Sequence, residues 1–198
     1  MQSKKIRISI IILFSLVFLN TNLYASPKEF ISKLTSDASK VLANQQTKDQ
    51  KMIKLIELAE ENVDIKGIGL YSLGKHRKVL DESLLKEYEL LFKEYFLKSF
   101  SSRLSEYTDP KINVLSEEVI NTKYTIVFSV LEADEKRPEI KIDWRVYTLN
   151  PEKPLVRDLI IEGLSLARTQ KEEFSSILNS NDNDIKSLFK ILEEFSKN

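Results

Sequence analysis

The sequence predicts an α+β fold, in which helices come first, a meander of strands follows and two helices end the chain. Apolar residues recur at helical spacing through residues 27–107. Over residues 124–147 the apolar pattern changes to a period of two, and helical spacing returns after residue 169. Runs of strands that stand between runs of helices are typical of an antiparallel sheet with helices packed against it, and not of alternating βα units.

The first 25 residues have the composition of a secretory signal peptide. Lys4, Lys5 and Arg7 form a basic start, the apolar stretch 8–19 follows, and Ala25 supplies the small residue after which we expect cleavage. An apolar stretch of 12 residues is short for a membrane span, although an uncleaved anchor is the alternative interpretation. The chain contains no cysteine, so it has no disulfide and no cysteine for lipid attachment.

Without these 25 of its 198 residues the chain still has 173, enough for one domain with a buried core. The whole chain carries 30 basic and 30 acidic residues, and loss of the three basic residues of the signal peptide leaves a net charge of −3. A nucleic-acid ligand would favour a basic excess, so we expect no nucleic-acid partner. We predict a single domain over residues 26–198 that should be soluble.

Capping residues predict where the first helices begin. The stretch Ser26-Pro27-Lys28-Glu29 is a capping box with proline at the first helical position. Asp64 can cap a short helix that Gly74 closes, and Asp81 starts the longest helix. This mostly helical part covers about residues 26–108, with helices predicted over about 27–43, 48–62, 65–73 and 82–107.

The change of period predicts four strands within about residues 111–163. Strands 124–131 and 140–147 alternate between two sets of side chains, which is typical of an antiparallel sheet. Residues 111–116 form a weaker first strand, and Leu155–Glu162 is apolar on both sides and should be more buried.

The two final helices are predicted within about residues 169–196. Thr169-Gln170-Lys171-Glu172 has the pattern of a second capping box, so a helix should begin there and run to about residue 179. Asp184 can cap the last helix, over about residues 185–196.

The segment before these helices raises the question of a catalytic serine. Gly163 and Ser165 match part of the hydrolase pattern G-x-S-x-G, but Ala167 stands where the second glycine is required. His76, the one histidine, lies between basic residues and has no carboxylate beside it in sequence. We therefore expect Ser165 to bond the backbone locally at the end of a strand.

Metal and nucleotide sites are not indicated. One histidine and no cysteine disfavour a zinc site. The stretch Asn179–Ser187 lacks the glycine and the terminal glutamate of a calcium loop, so we interpret it as a turn and a helix cap. Gly67-Ile68-Gly69 lacks the third glycine and the preceding strand of a dinucleotide fingerprint. We predict no catalytic residue, no metal and no cofactor, and therefore no enzyme.

Several short motifs stand in the order and spacing of a known family. They are Leu73-Gly74-Lys75 with Arg77, Asp143-Trp144-Arg145, Val156 with Asp158, Glu162-Gly163-Leu164-Ser165-Leu166, and Phe174 with Ile177-Leu178. With these motifs the chain resembles the MlaC (toluene-tolerance Ttg2) phospholipid-binding proteins of Gram-negative bacteria. The resemblance covers essentially the whole mature chain.

The resemblance implies a periplasmic phospholipid carrier with an NTF2-like curved, four-stranded antiparallel sheet. An N-terminal helical subdomain and two C-terminal helices would enclose an apolar pocket for the acyl chains. The implied partners are an inner-membrane ABC transporter with an MCE-domain protein and an outer-membrane lipoprotein–porin complex. The implied role is the maintenance of outer-membrane lipid asymmetry.

Periodicity suggests which side chains would line such a pocket, although the same faces can be ordinary core. The aromatic residues of the long helix and the alternating residues of two strands are the candidates. They are Tyr88, Phe92, Phe96, Phe100, Ile126, Phe128, Val130, Ile142, Trp144 and Val146.

Three alternatives stay open at the level of sequence. The chain could carry another lipid, such as a hopanoid. It could be a lipid-free periplasmic adaptor whose apolar faces are fully packed. It could also be a small α+β enzyme, for which Asp143 and Asp158 are the only strand carboxylates that we would consider.

Overall fold

A computed structural model describes residues 26–135 and 137–197. The predicted signal peptide lies outside these residues. Within them the chain forms six α-helices, a short 3-10 helix over Gly74–Lys78, and one sheet. The α-helices are α1 Pro27–Ala43, α2 Lys48–Asn62, α3 Ile65–Ser72, α4 Glu82–Leu104, α5 Leu166–Asn179 and α6 Ile185–Lys197. The strands are β1 Ile112–Asn121, β2 Tyr124–Leu131, β3 Ile140–Tyr147, β4 Leu155–Ile161 and β5 Leu164–Ser165. The α+β prediction is confirmed.

Side-chain caps fix the starts of the N-terminal helices. The Ser26 hydroxyl accepts a hydrogen bond from the Glu29 amide, and the Glu29 carboxylate accepts one from the Ser26 amide, so the predicted capping box forms. Thr47 and Gln50 form an equivalent box at α2. Asp64 and Asp81 cap α3 and α4 as predicted, by accepting hydrogen bonds from main-chain amides.

The sheet has the order β1-β2-β3-β4-β5, and every neighbouring pair is antiparallel. It contains five strands and not the four that were predicted, because the chain reverses after β4 and adds the two-residue strand β5. Glu162 and Gly163 form this tight reversal with φ angles of 49° and 82°, and a positive φ favours glycine.

Three predicted boundaries are wrong. Helix α4 ends at Leu104 and not at residue 107, because the amides of Glu106 and Tyr107 bond carbonyls three residues back and so form tighter turns. The strand expected over residues 111–116 continues to Asn121, because its polar second half still pairs with β2 along the edge of the sheet. Helix α5 begins at Leu166 and not at Thr169, because Ser165 already caps it. The hydroxyl of Thr169 instead donates to the Ser165 carbonyl from inside the first turn.

Two clusters of buried side chains form the interior. The helical cluster joins α3, α4, α5 and α6 around Tyr88, Phe92 and Phe174. The sheet cluster joins α1 to the sheet through Ile31, which packs against three valines of β2, β3 and β4. Val63, between α2 and α3, packs against both clusters and forms a parallel bridge with Val156 at the edge of β4. None of the described helices is both long enough and apolar enough to cross a membrane.

Candidate functional site

The aromatic residues predicted on the long helix do form one row along α4. Tyr88 and Phe92 are buried, with exposed fractions of 0% and 2%. Phe96 and Phe100, one and two turns further on, are only partly buried, and their rings stack with centroids 5.8 Å apart. The row therefore changes from closed core in the first half of α4 to partly open apolar surface in the second half.

Phe92 is enclosed on several sides. Its ring meets that of Phe174 edge-on at 6.1 Å and lies 5.8 Å from that of Tyr88. A methyl group added to Gly69 of α3 would lie 2.7 Å from Cδ1 of Phe92, so the absence of a side chain at Gly69 allows α3 to approach the ring. Phe92 is thus part of the structural core of the helical bundle.

Two tyrosines of α4 have satisfied hydroxyl groups. The hydroxyl of Tyr88 donates to the Gly69 carbonyl at 2.9 Å, and that of Tyr95 lies 3.1 Å from Oε1 of Gln170 on α5. Burial raises the pKa of both hydroxyls, because the phenolate form would lose its hydration. Both tyrosines therefore stay neutral at physiological pH and fix the positions of α3 and α5 against α4.

The six predicted pocket residues of the sheet lie on two opposite faces. Residues that pair directly in an antiparallel sheet point to the same face. Val127 pairs with Trp144, whereas Ile126 pairs with Arg145. Ile142, Trp144 and Val146 consequently lie on one face, and Ile126, Phe128 and Val130 lie on the other. The six candidates therefore cannot all face one pocket. The alternation in β2 is apolar on both sides, so the sequence does not identify its inner side.

The face that carries Trp144 is covered in part by α1, and we call it the α1 face. Val146 is fully buried there, whereas Trp144 and Leu159 are only partly buried at the border of the sheet cluster. The indole Nε1 of Trp144 donates to Oγ of Ser129, which itself donates to the Ile142 carbonyl. Trp144 is therefore held in a fixed orientation beside partly open apolar surface.

The opposite face mixes apolar and charged groups. Ile126 is buried and Phe128 is partly buried, but their partners across β3 are Arg145 and Asp143. Burial raises the pKa of the Asp143 carboxyl, and nearby Lys141 opposes this shift. In the described part of the chain, neither of the two clusters draws a residue from this face.

The question of Ser165 is answered by its hydrogen bonds. Its hydroxyl donates to Oδ2 of Asp158 at 2.6 Å and accepts a bond from the Arg168 amide at 3.1 Å. The other oxygen of Asp158 accepts a bond from the Ala167 amide at 3.0 Å, and Arg145 Nη1 lies 3.5 Å from Oδ2. Asp158 is 4% exposed. Ser165 and Asp158 thus attach the start of α5 to β4, and the expected structural role of Ser165 at the end of a strand is confirmed.

The Asn- and Asp-rich stretch after α5 is a turn. Asp182 and Asn183 have φ angles of 54° and 60°, a conformation that these residue types tolerate better than most. The carboxylate of Asp184 accepts a hydrogen bond from the Lys186 amide at the start of α6. Among the described residues, no group of three or more histidine or acidic side chains could hold a metal ion.

Two surface pockets lie on either side of Tyr71 on α3. The pocket towards α5 has a volume of about 550 Å³, and the pocket towards β4 has one of about 430 Å³. Charged and polar side chains dominate both linings.

Sequence reasoning missed both pockets, and it also missed Val63 as the link between the two clusters. The basic residues near Tyr71 could have indicated an anion-binding pocket, but they are far apart in the sequence and only the fold brings them together.

Comparisons with known proteins agree with this architecture. The family model of the MlaC protein matches residues 28–194. Among solved structures, the fold is similar to that of the phospholipid-binding protein from Ralstonia solanacearum, determined in complex with a phospholipid. The TM-score is 0.72 and the identity 16%, over 87% of this chain and 98% of that one. At this identity the likeness concerns the fold. No curated protein matches the chain.

Proposed function

The chain belongs to the MlaC protein family, and on that basis we propose that it binds one phospholipid and carries it through the periplasm. The family match over residues 28–194 is the observation on which the proposal rests. The similar structure from Ralstonia solanacearum, which contains a phospholipid, supports the choice of ligand. The N-terminal stretch that resembles a signal peptide supports export.

The physical requirement for such a carrier is an enclosed apolar space. The two acyl chains of a phospholipid contain roughly 25–30 methylene groups, and exposing each to water costs about 0.8 kcal/mol, or on the order of 20 kcal/mol in all. A flat patch on the surface cannot offset this cost, whereas the charged headgroup can remain in water. Binding needs no cofactor and no catalytic residue.

We place the acyl chains between the helical cluster and the sheet cluster, next to Val63. Partly buried apolar side chains border both clusters, with Phe96 and Phe100 on the helical side and Trp144 and Leu159 on the α1 face. Partly buried side chains of this kind can give up contacts with one another and contact a ligand instead. Of the ten predicted pocket residues, Tyr88, Phe92 and Val146 are at most 2% exposed and are then mainly structural. Ile126, Phe128 and Val130 lie on the face opposite the α1 face, away from the proposed space. Phe96, Phe100, Ile142 and Trp144 remain candidates for contact with the acyl chains.

Trp144 offers a direct test because it is the only tryptophan in the chain. Bromine atoms on an acyl chain quench tryptophan fluorescence only at short range. The mature protein should be stripped of lipid and loaded with phosphatidylcholine that carries bromine in its acyl chains, or with the same lipid without bromine. We expect strong quenching of Trp144 by the brominated lipid alone. Bound lipid without quenching would contradict the proposed position, and failure to take up any lipid would contradict the function.

A pair of substitutions adds a control. Val63→Asp puts a charge between the clusters and should prevent lipid uptake, because a buried carboxylate is strongly disfavoured in an apolar space. Ile53→Asp adds the same charge at a position that is 58% exposed and should leave uptake unchanged. Equal uptake by both folded variants would rule out Val63 as part of the lipid-binding region.

The route of the lipid is part of the same proposal. The family membership supports exchange with an inner-membrane transporter that bears an MCE domain and with an outer-membrane lipoprotein–porin complex, which together would maintain outer-membrane lipid asymmetry. Deletion of the gene should then raise the amount of phospholipid in the outer leaflet. An unchanged outer leaflet would contradict this role and leave lipid binding untouched.

A further inference from the structure

Two neighbouring surface pockets both have Tyr71 in their linings, and we call the two pockets together the cationic cleft. The pocket towards β4 is lined by Asp64, Lys66, Gly67, Leu70, Tyr71, Arg77 and Arg157. The pocket towards α5 adds Arg168, Lys171 and Glu172, together with three serines and an asparagine. Five cationic and two anionic side chains therefore line the cleft.

The cations exceed what the nearby carboxylates can neutralise. Arg157 forms an ion pair with Asp64, and Lys66 forms one with Glu89 at 2.9 Å. Arg77, Arg168 and Lys171 form no ion pair with any carboxylate of the described residues. Glu172, the second anion of the cleft, forms no ion pair among the described residues either, so the three unpaired cations leave a net excess of two positive charges. In the whole chain, by contrast, basic and acidic residues are equal in number. The excess of positive charge is thus a local property of the cleft.

Several of these side chains are held in place before any ligand binds. The guanidinium carbon of Arg157 lies 4.7 Å from the centre of the Tyr147 ring, in addition to its ion pair with Asp64. Nη1 of Arg77 donates to the Leu70 carbonyl at 2.9 Å, which anchors one end of its guanidinium group. Nζ of Lys171 lies 5.2 Å from the centre of the Tyr71 ring. An anchored guanidinium loses less conformational entropy when it binds an anion.

We propose that the cationic cleft binds a phosphate group of the kind present in phospholipid headgroups. Arginine presents parallel N–H donors that match the oxygens of a phosphate, and lysine adds a point charge. The serine hydroxyls of the α5 pocket can contribute further hydrogen bonds to a headgroup. This inference rests on the proposed function for the identity of the ligand. It concerns the headgroup, whereas the proposed function concerns the acyl chains.

The test measures binding of phosphate without acyl chains. The mature protein, stripped of lipid, is titrated at low ionic strength with inorganic phosphate and with glycerophosphoglycerol, the chain-free headgroup of phosphatidylglycerol. The cleft variant carries Arg77→Gln, Arg168→Gln and Lys171→Gln. The control variant carries Lys54→Gln, Lys123→Gln and Lys153→Gln, which removes the same charge from three exposed positions outside the cleft.

We expect both probes to bind the native protein and the control variant, and to bind the cleft variant at least tenfold more weakly. No binding to the native protein would overturn the proposal, as would an equal loss in the control and cleft variants. Binding of glycerophosphoglycerol alone would support a site that selects headgroups over free phosphate. These results do not depend on whether the native protein retains a whole phospholipid, so the proposed function can fail separately.

A second arm identifies the source of the phosphate. The titration is repeated on protein that has been loaded with one phospholipid. If the loaded protein no longer binds glycerophosphoglycerol, the cleft holds the headgroup of the carried lipid. If it binds as before, the cleft recognises phosphate groups outside the protein, such as those of a membrane surface.

Discussion

Substitution of Ser165 by alanine tests the structural role of this serine. In the native protein its hydroxyl accepts a hydrogen bond from the Arg168 amide as the N-cap of α5, and it donates one to the buried Asp158 carboxylate. Ser165→Ala removes both bonds and leaves one oxygen of Asp158 with only the more distant Arg145. The fold should survive but lose stability.

The expected loss of stability can be worked out from the two lost hydrogen bonds. Loss of a serine N-cap costs about 1 kcal/mol. Loss of a hydrogen bond to a buried charged group costs about 1.5–3 kcal/mol. We therefore expect Ser165→Ala to lower the free energy of unfolding by about 3 kcal/mol. For a chain of this length, that corresponds to a fall of roughly 6–12 °C in Tm.

The assay is urea and thermal unfolding of the mature protein, with lipid content measured on the same samples. Ser165→Thr is the matched control, because threonine keeps the hydroxyl and is an accepted N-cap, so its stability should stay within about 1 kcal/mol of the native value. Ser165→Ala should retain lipid under conditions in which it is folded. A stability loss below about 0.5 kcal/mol in Ser165→Ala would refute the structural reasoning, and full stability with lost function would point to chemistry at Ser165.

Two further predictions concern the packing around Phe92, and a third concerns the pKa of His76. Phe92→Ala should lower the free energy of unfolding by about 3–5 kcal/mol in denaturant titrations, and an equal loss in Phe100→Ala would contradict the gradient of burial along α4. Gly69→Ala should cost about 1–2 kcal/mol net, since crowding against Phe92 exceeds the gain in helix propensity; a stabilised variant would contradict the close approach. Burial lowers the pKa of His76 below its ordinary value of 6.5, so the unfolded chain binds the proton first and stability should fall as pH drops below about 6.5. His76→Gln should flatten this dependence, and an unchanged slope would exclude His76 as its source.

Much of the fold could be predicted from the sequence, because helix caps and apolar periodicity depend on residues that are close together in the chain. The capping box at Ser26 and the caps at Asp64 and Asp81 placed three helices close to their observed starts. The start of α5 was misplaced because two serine or threonine caps compete there, and Ser165 is selected by its bond to Asp158 on a strand seven residues earlier. This contact forms only once the sheet has folded, so the sequence around Ser165 does not indicate it.

The residues of the candidate site were harder to predict from the sequence, because they depend on which side of the sheet faces the protein interior. In β2 both sets of alternating residues are largely apolar, and the choice is made by α1, whose Ile31 packs against Val127. Sequence periodicity therefore grouped Phe128 with Trp144, which the strand register separates. The cationic cleft was hidden for a similar reason, since Arg77 and Arg157 become neighbours only when α3 packs beside β4.

Whether the protein carries a phospholipid can be measured by native mass spectrometry of the mature protein, purified from a Gram-negative periplasm, followed by lipid extraction. We expect one phospholipid per chain, bound tightly enough to survive purification. A hopanoid or another lipid at the same stoichiometry would correct the identity of the cargo. A chain that emerges without lipid, and that takes up none from phospholipid vesicles, would contradict the carrier function.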